Sequence, residues 1–218
     1  FTYNGHREKM RVIKKEHLLE PLNRVALQIA KQISQEVAFS EPNLIAGNIS
    51  GTHIWNSNDE NSKQEVRLMF REMIKWAKEE DADYIIGETF YFAEEAYVAL
   101  EEIKKLDFPA VITISPMGEN IMRDGISIID TCKELEKRGA DVVGMNCFRG
   151  PSTMLPYLKR IRDSIKCHMA ALPICYRTHE KQPTFFNLQD NNSCTHPSPH
   201  GRSFPTALDP LYCNRYEI

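Results

Sequence analysis

Apolar residues recur along the chain in two alternating rhythms. From Pro21 onward, Leu22, Val25, Ala26, Ile29, Ala30 and Ile33 follow one another at steps of three and four, the period of one helix face. Pro21 suits a first helical position, where a missing N–H has no partner to lose, and the helix is expected to end near Val37. Residues 44–50 then form a short apolar run of the kind expected for a strand buried on both faces. Residues 59–80 place Val66, Met69, Phe70, Met73, Ile74 and Ala77 on one face and Glu, Arg and Lys on the other, the clearest amphipathic helix in the chain. The alternation continues with a strand at 84–88, a helix marked by Ala96, Leu100 and Ile103, and a strand at 110–115. Ile129, Cys132 and Leu135 mark the next helix, closed by Gly139 at the usual C-terminal position, and a strand follows at 141–147. Pro151 opens a helix with Met154, Leu155, Leu158, Ile161 and Ile165 inward, and residues 168–175 read as a further strand.

Five strands ending near 50, 88, 115, 147 and 175, with one helix in each interval, predict a parallel sheet. Periodicity alone leaves a doubly wound sheet and a (β/α)8 barrel open. The polar residues separate them. Asn48 and Ser50, Glu88, Ser115, Asn146 and Cys147, and Tyr176 fall at the carboxyl ends of all five strands, where barrel enzymes build their sites. A doubly wound fold concentrates its functional groups at one switch point, usually with a Gly-rich phosphate loop, and neither G-x-G-x-x-G nor G-K-[ST] occurs here. A complete barrel takes about 250 residues and eight strands. The expectation is therefore an α/β fold forming a single domain over 1–218, an incomplete TIM barrel whose N-terminal and C-terminal strands are missing from this chain. An opening Phe-Thr-Tyr and a closing Asn-Arg-Tyr-Glu-Ile read as the ends of an excised piece. Residues 177–210 hold five of the twelve prolines without periodicity and are expected to form a long loop over the barrel mouth.

Composition narrows the partners. Lys plus Arg total 27 against 30 Asp plus Glu, for a net charge of -3, so no basic excess points to nucleic acid or an anionic membrane. No apolar stretch approaches the ~20 residues that span a bilayer. The six cysteines contain no C-x-x-C pair, which argues against a zinc ribbon or disulfide framework and suggests a reducing, cytoplasmic setting. Cys147, at a strand end, has the placement of a thiolate that binds zinc or acts as a nucleophile, although a free cysteine more often simply packs. Glu88 closes an apolar strand with a carboxylate, which needs a partner, water or a cationic substrate group. No lysine falls at a strand end for Schiff-base chemistry, and the seven histidines contain neither H-x-H nor H-E-x-x-H. His53 and Trp55 follow a strand end and carry no assignment.

The stretches FTYNGHREKM at 1–10, IIGETF at 85–90 and GMNC at 144–147 resemble the homocysteine S-methyltransferase family. RGPSTM at 149–154 and FPTALDP at 204–210 narrow the resemblance to its betaine-homocysteine methyltransferase-like branch, collinear over essentially the whole chain. The resemblance implies a zinc-bearing barrel that moves a methyl group from betaine or a related methyl-onium donor to homocysteine, forming methionine. Homocysteine and the donor are its partners, and a homo-oligomer is compatible with it. Cys147 matches the first of three zinc-binding cysteines, and the adjacent Cys-Cys pair that supplies the others is expected outside this chain. Glu88, by resemblance, binds the amino group of homocysteine, with Thr2, Tyr3 and Asn4 lining the substrate site. A quaternary ammonium is held by aromatic faces. Asn4 stands where the family often has tyrosine, and Thr89 stands where the betaine enzymes place another aromatic, while Tyr3 remains. S-methylmethionine is therefore the alternative donor, and a non-catalytic barrel scaffold is the alternative role.

Overall fold

The computed structural model describes residues 2–3, 5–37, 43–116, 120–178, 180–181 and 183–184. Helix α1 (Arg7–Val12), a 3-10 turn (Glu16–Leu18) and helix α2 (Leu19–Glu36) precede strand β1 (Ala46–Ser50). Strand and helix then alternate: α3 (Glu60–Glu79), β2 (Tyr84–Phe90), α4 (Ala93–Lys104), β3 (Ala110–Ile114), α5 (Ile128–Lys137), β4 (Val142–Asn146), α6 (Pro151–Arg162) and β5 (His168–Leu172).

Every strand pair is parallel, and the order across the sheet is the order along the chain, β1-β2-β3-β4-β5. Crossovers between parallel strands are right-handed, so an order that never reverses puts every crossover helix on the same face. A doubly wound sheet requires a reversal and has helices on both faces. The described residues are thus five consecutive strands of an incomplete (β/α) barrel. Val66, Phe70 and Ile74 of α3, Ala96, Leu100 and Ile103 of α4, and Ile85, Ile112 and Val143 of the strands form the buried layer between sheet and helices. Each large aliphatic or aromatic side chain buried there contributes roughly 1.5–3 kcal/mol. Asp59 and Ser127 start α3 and α5 by accepting the Asn61 and Asp130 amides at 2.9 and 3.0 Å. Among the described residues, no helix is long and apolar enough to cross a membrane.

Three features depart from the sequence expectation. The apolar stripe of α2 is present, but it is half open: Leu22, Val25, Ile29 and Ile33 are 42%, 50%, 51% and 50% exposed, while Leu19, Asn23 and Leu27 are buried. Strand β5 stops at Leu172 instead of near 175, because its partner β4 leaves the regular ladder there through two left-handed residues, Cys147 and Phe148. Residues 7–18, which have no apolar period, form α1 and the 3-10 turn, anchored where Arg7 Nε donates to Glu72 Oε1 at 2.9 Å. Of the loop expected at 177–210, the described residues show only its start, where the Thr178 hydroxyl accepts the Gly150 amide at 2.9 Å at the head of α6. The remainder lies outside the described residues.

Candidate active site

Along a strand, side chains alternate between faces. Gly47 and Ile85 face the helix layer, where an added Gly47 Cβ would lie 2.6 Å from Ala77 Cβ, so Asn48 and Glu88 emerge on the opposite, barrel-interior face. The alternation breaks at the end of β2. Its register with β3 shifts between Gly87 and Phe90, and Thr89 takes φ +60°, a conformation that a β-branched residue rarely adopts. Asn146, the last residue of β4, holds that bulge. Its Oδ1 accepts the Thr89 amide at 3.0 Å and the Ser115 hydroxyl at 2.9 Å, while its Nδ2 donates to Thr89 Oγ1 at 2.6 Å.

The same amide reaches Glu88. Asn146 Nδ2 donates to Glu88 Oε2 at 3.3 Å, and Asn48 Nδ2 donates to Glu88 Oε1 at 2.7 Å. Two amide donors, one on each oxygen, orient the carboxylate. Next to it, β4 turns off through two successive left-handed residues, Cys147 (φ 59°) and Phe148 (φ 55°), held where the Cys147 amide donates to Leu172 O at 3.0 Å. Burial pushes the Cys147 thiol above its ordinary 9.0, and the negative charge of Glu88 pushes the same way against the Phe148 amide. The thiol is protonated at neutral pH unless a cation joins it.

Tyr3 lies beside this pair. Ser50 Oγ donates to the Tyr3 carbonyl at 3.0 Å, tying the amino-terminal segment to the end of β1. The Tyr3 hydroxyl faces the side chains of Tyr91 and Thr89. Burial chiefly raises its pKa, and the charges of Cys147 and Glu88 add to the rise, so all three groups lie within electrostatic reach of one another. Tyr91 in turn stacks on Phe148 with centroids 5.5 Å apart and meets the His53 ring edge-on at 5.6 Å. Arg123 lies over Tyr91 at 4.9 Å.

Of the residues expected at the site, Glu88, Tyr3 and Cys147 come together. Thr2 contributes its carbonyl, which accepts the Gly5 amide at 2.6 Å in the turn that carries Tyr3. Asn4 lies outside the described residues. Asn48, Asn146 and Ser115 carried a signal as strand-end polar residues, but Thr89 and Tyr91 carried none as structural partners. His53 joins the aromatic row beside Tyr91, whereas Trp55 is core. Among the described residues, no group of three or more His, Cys, Asp or Glu converges as a metal site. Cys147 therefore offers one sulfur donor of the kind zinc takes, and any further ligands come from outside the described residues. Cys132 is buried in the helix layer and Cys175 is exposed.

A polar cluster gathered at the carboxyl ends of consecutive parallel strands is the site architecture of a barrel enzyme. The family description "Homocysteine S-methyltransferase" matches residues 1–194, and the chain belongs to that family. It is 30% identical over 199 residues to betaine-homocysteine S-methyltransferase 1 of Xenopus laevis, covering 88% of this chain and 45% of that protein. It is 28% identical over 183 residues to an S-methylmethionine-homocysteine S-methyltransferase of Pongo abelii, covering 82% and 47%. The metallated form of the homocysteine methyltransferase MmuM from Escherichia coli shares the fold, with a TM-score of 0.66 at 14% identity over 78% of this chain and 63% of that one. The chain spans about half the length of the curated relatives it matches.

Proposed function

We propose that the complete protein is a zinc-dependent, cytoplasmic methyltransferase that moves a methyl group from betaine or a related methyl-onium donor to homocysteine, forming methionine. The observation that carries this reading is Glu88, braced by two asparagine amides, beside the Cys147 thiol and Tyr3. Glu88 takes the ammonium group of homocysteine through charge-assisted hydrogen bonds. Cys147 would hold zinc together with cysteines from outside the described residues, and zinc, when bound, supplies the positive charge that keeps sulfur ligands deprotonated at neutral pH. In the transfer, a sulfur lone pair of homocysteine forms the new S–C bond while the donor's C–N or C–S bond breaks, its electron pair leaving with a neutral amine or sulfide. The leaving group needs no proton, so the protein's task is to orient the reactants and exclude water. Tyr3 presents an aromatic ring toward the donor cation. Relatives that use either donor match this chain to a similar degree, so the donor is settled by assay.

The test is metal analysis and methionine formation by the complete protein, with betaine and S-methylmethionine offered separately. One zinc per chain and methylation of homocysteine are expected, and Cys147→Ala is expected to lose both. Full activity in Cys147→Ala would refute the zinc-thiolate assignment.

A further inference from the structure

Asn48 leaves the end of β1 with one arm of its amide engaged and the other not. Its Nδ2 donates to Glu88 Oε1 at 2.7 Å. That bond fixes which way the amide faces, because the reverse orientation would set Oδ1 against a carboxylate oxygen, lone pair against lone pair. Asn48 Oδ1 is shielded from solvent and accepts no hydrogen bond. Asn146 differs: its Oδ1 takes two donors and its Nδ2 is shared between Glu88 and Thr89, so both its arms are committed to the protein. A buried amide oxygen left without a donor is costly, and such an atom marks a place where a donor belongs.

We infer that Asn48 Oδ1 accepts a hydrogen bond from the substrate's ammonium group, so that Asn48 and Glu88 form a two-acceptor clamp. The inference rests on the reading that Glu88 takes the amino group of homocysteine. A primary ammonium carries three N–H donors and no acceptor, which matches a carboxylate with free lone pairs beside an amide oxygen. A quaternary ammonium or a sulfonium has no N–H, so either one placed there would leave Oδ1 unsatisfied. Asn48 therefore does more than orient Glu88. It separates the methyl acceptor, a primary amine, from an onium donor of the same charge, by the penalty a hydrogen-bonding site imposes on a ligand that lacks the donor.

The experiment compares homocysteine with 4-mercaptobutyrate, which has the same thiol, chain and carboxylate but no amine, in the complete protein and its Asn48→Ala and Asn48→Ser variants. Wild type is expected to prefer homocysteine. Asn48→Ala is expected to lower kcat/KM for homocysteine about 10- to 100-fold, mostly through KM, the range for one hydrogen bond to a charged group. The value for 4-mercaptobutyrate should move less than about twofold, so the preference for the amine shrinks. An equal fall on both thiols would show that Asn48 only supports the strand end, and an unchanged homocysteine value would show that Oδ1 takes no part; either overturns the clamp. A wild type indifferent to the amine removes Glu88 from its role and the clamp with it, a failure visible before any variant is made. Should Asn48→Ala not fold, Asn48→Ser, whose shorter hydroxyl cannot span the same gap, gives the deciding ratio.

Discussion

Glu95, at the start of α4, is a carboxylate sunk behind the site with 1% of its surface exposed. The amide and hydroxyl of Thr52 both donate to its Oε1, at 2.7 and 2.6 Å. Those bonds favour the charged form, but burial outweighs them and pushes the carboxyl up to about 7. The consequence for stability has a definite sign. In the unfolded chain the group ionises near 4.5, whereas in the folded protein it keeps its proton up to about 7. The folded state therefore binds the extra proton between these values, and its stability falls as pH rises through that window and then levels off. Glu95→Gln keeps an acceptor for Thr52 without the charge, and is expected to stabilise the protein at pH 8 by on the order of 3 kcal/mol while changing little at pH 4. Thermal unfolding of both proteins across that range decides it, and a difference of equal size at both ends would contradict the assignment. His6 runs the other way. Burial, reinforced by His53 and Lys9, lowers its imidazole to about 4, so it favours the folded state above its ordinary 6.5 and withdraws that support as pH falls through about 4.

At the scale of elements, the glycines of the GMNC and RGPSTM motifs are packing requirements. A Cβ on Gly144 would lie 1.8 Å from the Ala170 carbonyl oxygen on β5, and one on Gly150 would lie 1.9 Å from the Tyr176 carbonyl oxygen. Neither neighbour is a flexible side-chain tip, so the backbones would have to part. Gly144→Ala is expected to cost ~2 kcal/mol or more in urea unfolding of the complete protein, and to disturb the Cys147 amide bond to Leu172 on the same strand pair. A loss below about half a kcal/mol would show that β4 and β5 can move apart freely. Helices and strands were legible in the sequence where their apolar residues keep a pattern: α3 and β1 lie where Val66, Phe70 and the 44–50 run put them. Helix α1 was not legible, since its place is fixed by the Arg7–Glu72 pair, 65 residues apart in the chain. The same division holds in the site. Glu88 and Cys147 announced themselves as polar ends of apolar strands, and Asn48 and Asn146 shared that signal. Which amide arm of each is already taken depends on the bulge at Thr89 and on distances across strands, neither of which has a sequence period.

At the scale of the whole molecule, α2 buries Leu19 and Leu27 but leaves most of its apolar stripe open. Asn23 is buried, its Nδ2 donating to the carbonyls of Gly5 and Leu19 at 2.8 and 2.9 Å, while Leu22, Val25, Ile29 and Ile33 are about half exposed. A helix stabilised by an apolar stripe normally buries that stripe. At the other end of the strand order, β5 is half open along its length although it reads His-Met-Ala-Ala-Leu. Both surfaces are apolar, and both flank the five strands at positions where a closed barrel would continue. With a net charge of only -3, little electrostatic repulsion keeps such surfaces apart. The 218-residue chain by itself is therefore expected to self-associate at micromolar concentration, and the pair Ile29→Glu and Ile33→Lys to reduce that association without lowering the melting temperature. In the complete protein the same pair is expected to destabilise, because the stripe is then covered. Sedimentation velocity and thermal unfolding on both lengths check the two halves of the argument: a monomeric 218-residue chain, or a complete protein indifferent to charge at 29 and 33, would mean that the stripe of α2 belongs to solvent.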